Sequence, residues 1–374
     1  MLRAIASAGP QVRESASVAA DANLAALADE GRPRSVVVAG VGTAARTGDI
    51  LATIAGARSL VPVISHRSPG VPGWVGAADV VLAVSASGRS PEAIAAADAA
   101  ARRGARLVAI GAPDSELAAL AERARAPFVP VPRRAPARAS LWALTVPVLL
   151  AARAFGLIRL PEADLAETAT RLDEDAERCR VAADAFVNPA KALALDLAGS
   201  IPVVWGSSPL AAVAARRFAD TLSSNARYPA VAGDLGEAGR GRVGLLDGVY
   251  GGLAESARDI FADPHADADA SDSGDRGTRL HLVLLRDRGL VSDEEEVEGE
   301  PAAVELRRAD AVAELASRRG VRCTVIEAEG ASAAERFASL TLVPDFASVY
   351  LALAHGFDPM AVPAVSEMKE LSTP

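Results

Sequence analysis

The residues best placed to do chemistry lie between Val80 and Ala93, in the stretch VVLAVSASGRSPEA. Residues 80–84 are short, apolar and mostly β-branched, the composition of a buried parallel strand. Ser90 suits a helix N-cap, Pro91 the first helical position and Glu92 the first turn. Ser85, Ser87, Gly88 and Ser90 then fall between a strand end and a helix start. Unpaired backbone N–H groups converge there, the helix dipole is positive there, and hydroxyls add further donors. That is the chemistry of a phosphate cradle. An ordinary water-capped helix start has the same composition, so the turn taken alone leaves both readings open.

Other reactive side chains are few. His66, followed by Arg67, stands at the end of an expected strand, where ligands gather in α/β sheets. His355 follows a helical run, and its plainest role is to pack against or cap that helix. Glu237 lies three residues before Arg240, and its plainest role is a loop carboxylate paired with that arginine. Trp74, Trp142 and Trp205 read as core or interface residues.

These residues need a frame. Expected strands at 35–39, 60–65, 80–84, 107–110 and 128–131 alternate with helices, a rhythm of βαβ units around a parallel sheet. A long helical region from 140 to 185 is broken near Pro161. The same grammar then repeats, with strands expected at 201–205, 242–246, 280–285 and 321–326. The expected organisation is an N-terminal domain over 1–155, a helical linker over 156–190 and a C-terminal domain over 191–374. An acidic flexible loop is expected at 264–278, and the run DEEEVEGE should carry charge rather than a metal.

Composition narrows the function. The chain has 374 residues, 50% hydrophobic but only 4% aromatic, so Ala, Val and Leu must fill its cores. A net charge of −9 argues against a nonspecific nucleic-acid surface, which needs a basic stripe, yet permits a local anion pocket. Cys179 and Cys323 show no CxxC spacing, so no zinc site or disulfide framework is expected, and a cytoplasmic location is the default. The apolar stretch 141–155 contains Pro147 and is too short to span a bilayer; no signal peptide is read at the start. No cofactor is expected.

The run Ser85-Ala86-Ser87-Gly88-Arg89-Ser90 resembles the Ser-x-Ser-Gly-Asn-Thr phosphate loop of sugar isomerase (SIS) domains, with Arg89 in the asparagine place. GVGTAARTGD, residues 40–49, resembles the family's Gly-rich first loop. WVGAADVVLAVSASG resembles the approach to the phosphate loop, and PARAS, with Arg138, resembles an arginine-bearing segment that follows. Residues 344–365 resemble a terminal helix and Asp-Pro turn. Over nearly its full length the chain is similar to the bifunctional phosphoglucose/phosphomannose isomerase family, two SIS domains in tandem.

The resemblance implies two doubly wound, flavodoxin-like three-layer α/β domains and a homodimer. It also implies a phosphorylated hexose or related small anion as ligand, held by Gly42, Thr43, Ser85, Ser87, Gly88, Ser90 and Arg138, to which Arg67 is added from its place at a strand end. No nucleic-acid or membrane partner is implied. The family reaction moves a proton between C1 and C2 with a carboxylate, while a histidine assists ring opening. Here Ser224 stands at the carboxylate position, Arg240 at the histidine position and Met360 at a threonine position. Serine is no general base at neutral pH without an activator, and arginine keeps its proton, with a pKa above about 12. Glu237 as base and His355 as proton shuttle are the substitutes within this chain, and Lys369 lies near the family's late lysine. The leading expectation is a sugar-phosphate-binding SIS protein with lost or altered catalysis. The alternatives are an active glucose 6-phosphate or mannose 6-phosphate isomerase, or an isomerase of another phosphosugar.

Overall fold

The computed structural model describes residues 1–22, 24, 27, 31–57, 59–253, 279–289 and 299–372. They form two compact units, one of residues 1–183 and 330–346, the other of residues 184–329 and 347–374.

The first unit begins with α1 (Leu2–Ala6) and α2 (Ala8–Asp21), then alternates strand and helix. Its order is β1 (Val36–Ala39), α3 (Thr43–Ala55), β2 (Val63–His66), β3 (Val80–Ser85), α4 (Pro91–Arg102), β4 (Arg106–Gly111), α5 (Glu116–Ala124) and β5 (Phe128–Pro130). Two longer helices follow, α6 (Leu141–Ala154) and α7 (Glu162–Arg178). The five strands are parallel and lie in the order β2-β1-β3-β4-β5. The chain winds outward in opposite directions from β1 and β3, so the carboxyl ends of these two strands form the topological switch point, where ligands of such sheets bind.

β1 and β3 are buried along their whole length, which is why they read as continuous apolar runs. α4 meets the sheet through Ala93, Ala96, Ala97 and Ala100, all fully buried. Small side chains here let the helix backbone sit close to the strands, the packing that a chain poor in aromatics must use.

Two polar devices fix this frame. Asp79, wholly buried at the amino end of β3, accepts from Arg34 Nε (3.0 Å) and Nη2 (2.6 Å), from the Ser35 hydroxyl (2.8 Å) and from the Gly76 N–H (2.9 Å). It ties the segments entering β1 and β3 together. The second device rescues a proline. Pro147 lies inside α6 and cannot donate to the Ala143 carbonyl. The Ser15 hydroxyl on α2 donates to that carbonyl instead (3.3 Å), and the Gln11 amide caps the Ala143 N–H (3.1 Å). Ser15 on α2 thus supplies the donor that Pro147 lacks, while Gln11 satisfies one of the N–H groups left unpaired at the start of α6.

The second unit holds α8 (Pro189–Leu197), β6 (Ser200–Gly206), α9 (Pro209–Thr221), β7 (Val231–Asp234), α10 (Leu235–Ala238), β8 (Arg279–Arg286), α11 (Gly299–Arg318) and β9 (Arg322–Glu327). α12 (Ala333–Ala354) contributes its residues up to 346 to the first unit and the rest to the second, and α13 (Pro363–Ser372) follows. The four strands are again parallel, in the order β7-β6-β8-β9. Both units are therefore doubly wound α/β folds of the flavodoxin-like kind.

One expected strand is not formed, and one observed strand was not expected. Residues 242–246 form part of a 3₁₀ turn, Arg242–Asp247, and not a strand. The Gly244 N–H bonds the Gly241 carbonyl at 3.0 Å, a local closure that outcompetes an apolar alternation containing glycine. β7 has no clear sequence signal, because VAGD offers few apolar residues to an edge strand. Residues 156–190, read as a linker, contain α7, which belongs to the first unit. The loop at 264–278 and most of the acidic run near 293–300 lie outside the described residues. α12 is the one described helix long and apolar enough to cross a membrane, and most of that stretch is buried inside the protein.

The Arg34 guanidinium holds the Asp79 carboxyl below the usual carboxylate range, with help from Gly76 and Ser35 against the cost of burial. A carboxylate with a lowered folded pKa stabilises above its unfolded value, about pH 4, and that contribution disappears as pH falls through the folded value. Asp79→Asn should therefore lower stability at neutral pH by about 1–3 kcal/mol, and should flatten the loss of stability below about pH 4. Urea unfolding of both proteins across this range tests it; parallel curves would remove Asp79 from that role.

Candidate active site

The turn between β3 and α4 lies at the switch point of the first unit. Ser85 ends β3 with its side chain fully buried. Its hydroxyl donates to Ser90 Oγ (3.0 Å), accepts from the Ser90 N–H (3.3 Å) and lies 3.5 Å from Ser87 Oγ. Ser87 Oγ in turn accepts from the Arg89 N–H (3.2 Å). The three serines are thus one network, with the Ser85 hydroxyl at its centre.

Ser90 occupies the N-cap position and Pro91 the first helical position, as the sequence suggests, but the Ser90 side chain makes no cap bond. Its oxygen is instead taken by Ser85. No side chain caps the first-turn N–H groups that follow Pro91, and they meet the positive end of the α4 dipole. At α5 and α9 the cap serines, Ser115 and Ser208, do accept from their own helices. The α4 start is the open one of these three, and an anion suits it.

Gly88 sets the shape of the turn. Its φ is +65°, and a Cβ placed on it would lie 2.0 Å from Ser115 Oγ and 2.3 Å from Ser115 Cβ. The Gly88 carbonyl accepts from the Leu117 N–H (3.0 Å), so the start of α5 clamps the turn from outside. Sequence reasoning misses Ser115 as part of this site; its only sign there is its N-cap position.

Next to this turn, at the carboxyl end of β1, stand the glycines of the first loop. Gly42 is the N-cap of α3 and offers no side chain to it, and Thr43 is half-buried at the first helical position. Asp49 on α3 pairs with Arg46 (2.8 Å) and with Arg67 (2.6 Å), so Arg67, just past β2, is drawn over the same end of the sheet. His66 ends β2, and its buried Nε2 has no hydrogen-bond partner among the described residues. Arg138 lies in a 3₁₀ turn, Ala137–Ala139, ahead of α6.

The remaining candidates are in the second unit, and Glu237 and His355 do not meet there. Ser224 lies in a π-helical turn, Leu222–Ala226, where the neighbouring Asn225 donates to Ser348 Oγ on α12 (2.9 Å). His355 stacks on Tyr228 with ring centroids 5.5 Å apart, and the Tyr228 hydroxyl donates to the Leu197 carbonyl (3.0 Å). Leu197 precedes β6 and Tyr228 precedes β7, which places His355 by the amino edge of this sheet. Glu237 and Arg240 are exposed and follow the carboxyl end of β7, beyond Asp234. The two substitute groups thus lie at opposite ends of a strand about 10 Å long. Met360 is half exposed, its N–H held by Asp358 (2.8 Å). The side chain of Lys369 lies outside the described residues. Among the described residues no cluster of three or more His, Cys, Asp or Glu could hold a metal ion.

Comparison with known proteins agrees with this frame. Residues 186–371 match the family model described as the bacterial phospho-glucose isomerase C-terminal SIS domain. The bifunctional phosphoglucose/phosphomannose isomerase of Caldicellulosiruptor bescii is 29% identical over 195 residues, 52% of this chain and 57% of that protein. The match thus spans little more than half of each. Among solved structures, a hypothetical protein from Thermus thermophilus superposes with a TM-score of 0.70 at 16% identity, over 99% of this chain and 89% of that one. The C-terminal domain of glucosamine-fructose-6-phosphate aminotransferase from Francisella tularensis gives 0.61 at 13% identity, over 96% of each chain. Tagatose-6-phosphate ketose/aldose isomerase from Escherichia coli gives 0.59 at 14% identity, over 96% of this chain and 93% of that one. At such identities the superpositions establish the fold alone. The chain is related to the SIS-domain phosphosugar-isomerase superfamily.

The contact at Gly88 gives a direct test of the turn. Gly88→Ala combines a strained φ with a clash against the Cβ of Ser115, and should cost about 1–3 kcal/mol of stability. Chemical denaturation measures it. A neutral substitution would mean that the turn relaxes freely and does not hold the serines in place.

Proposed function

We propose, from this superfamily relationship, that the chain binds a phosphorylated sugar at the carboxyl end of the first unit's sheet. The phosphate sits on the open start of α4, where Ser87, Ser90 and the N–H groups beyond Pro91 donate to it. The observation that carries this reading is that Ser90 leaves α4 uncapped while its oxygen is held by Ser85. Thr43 and Arg138 are assigned to the rest of the ligand on the resemblance to phosphoglucose/phosphomannose isomerases, the finer family we favour, and Arg67 on its place past the end of β2.

The chemistry of that family is not what we assign. Ser224 supplies no base and Arg240 no proton shuttle, and each lost group typically costs about 10²–10⁴-fold. Glu237 and His355, at opposite ends of β7, are poorly placed to share one proton path. We therefore favour a cytoplasmic sugar-phosphate-binding homodimer with catalysis lost or altered. Isomerisation of another phosphosugar is the second reading, supported by the retained binding turn.

Calorimetric titration with glucose 6-phosphate and fructose 6-phosphate should show binding. Ser87→Ala should weaken it by about 1–3 kcal/mol, the range for a hydrogen bond to a charged group. Unchanged affinity in that variant would remove Ser87 from the site. Coupled assays for both hexose isomerase activities should be near background, and robust turnover would overturn the noncatalytic reading. Light scattering at micromolar concentration should give a dimer mass.

A further inference from the structure

The turn from Ser85 to Ser90 carries one charged side chain, that of Arg89. Its N–H donates to Ser87 Oγ (3.2 Å), which fixes its backbone between the left-handed Gly88 and the N-cap Ser90. Its side chain is exposed and lines the groove between α4 and α5, beside Pro91 and Ile94. Asp98 and Glu116 line the same groove, and Asp98 pairs with Arg102. Among the described residues the Arg89 guanidinium forms no ion pair or hydrogen bond. Arg46 and Arg67, by contrast, are both held by Asp49. Arg89 therefore brings an uncommitted positive charge to the turn. The family loop that this run resembles has an uncharged asparagine there.

The other groups of the turn leave a phosphate ester poorly balanced. At neutral pH such an ester carries close to two negative charges, because its second pKa is about 6. Ser87, Ser90 and the backbone N–H groups are neutral donors, and a helix start contributes only about half a positive charge. Glu92, in the first turn of α4, adds a negative charge beside it, in a chain of net charge −9. A full positive charge is what a dianion lacks here, and Arg89 precedes the N-cap directly. Its guanidinium also presents parallel N–H groups that match two oxygens of a tetrahedral oxyanion. A sulfate ester has the same shape with one charge fewer, and gains less from such a partner.

We propose that Arg89 turns from the α4–α5 groove onto the bound group and makes this turn selective for doubly charged phosphate esters over singly charged tetrahedral esters. Arg89 is then a specificity-determining residue. The proposal rests on the reading of the α4 start as the phosphate site, and its test separates the two.

The test is calorimetric titration of the full chain at pH 8 with glucose 6-phosphate and glucose 6-sulfate, which differ in charge and not in shape. The parent should prefer the phosphate. Arg89→Ala should weaken phosphate-ester binding by about 10- to 100-fold and sulfate-ester binding by less, so that the preference narrows. Arg89→Lys, which keeps the charge and loses the fork, should fall between. Arg89 is exposed, so the thermal midpoint should stay in place. An equal loss for both esters would make Arg89 a structural part of the turn and overturn the proposal, as would unchanged affinities. Ser87→Ala that weakens both esters while Arg89→Ala leaves their ratio unmoved refutes this proposal and sustains the reading of the turn. A parent that binds neither ester refutes both.

Discussion

No side chain fits between Gly88 and Ser115, and the geometry of the first unit's site follows from that contact. The left-handed Gly88 bends the chain back as soon as it leaves β3 and points the following N–H groups toward the end of the strand. The bend brings Ser90 within reach of Ser85, and Ser85, being buried, has no water to compete for its hydroxyl. Its oxygen and proton are both directed at Ser90. Ser90 is thereby turned toward Ser85, and the start of α4 is left without a side-chain cap. One backbone conformation thus decides which donors the turn keeps and which it offers.

The contrast between the units argues that the fold supplies a position and the side chains decide its use. Both sheets reverse their winding at equivalent places, and Gly88 and Gly289 share a φ of +65°, but Gly88 is clamped against Ser115 while nothing lies within 4 Å of a Cβ placed on Gly289. In the first unit uncharged hydroxyls and bare N–H groups face the switch point, an arrangement that gains from an added anion. In the second, Arg286 at the end of β8 already meets two carboxylates of the chain, Asp310 (2.8 Å) and Glu327 (3.0 Å), which leaves less to gain from a ligand. The same logic applies to catalysis. A SIS fold positions groups at several edges, but Ser224 and Arg240 do not bring a titrating base or acid to them.

Much of the fold was legible because its signals are local. The strand, serine turn and helix start of 80–93 follow from a β-branched run, a Ser-Pro cap and a glycine, all within one short window. The start of α8 is equally local, with Asn188 accepting from the Ala190 and Lys191 N–H groups and Pro189 at the first helical position. What the sequence could not show depends on distant partners. Pro147 sits inside a continuous helix because the donor that rescues it, Ser15, is on another helix. β7 escaped notice because its place at a sheet edge is set by β6 and not by VAGD itself. The candidate site divided the same way. The three serines were recognisable from spacing, whereas the Ser115 clamp, the Asp49 tie on Arg46 and Arg67, and the separation of Glu237 from His355 are tertiary facts.

The central claim is that a sugar's phosphate is held by the open start of α4 in the first unit. Amide chemical-shift mapping of the deuterated chain during titration with glucose 6-phosphate tests it most directly. The account predicts that the largest saturable shifts fall on residues 87–93, with the amides of Glu92 and Ala93 moving in the direction of new hydrogen bonds to an anion. Saturable shifts confined to other residues, with 87–93 unmoved at full occupancy, would contradict it.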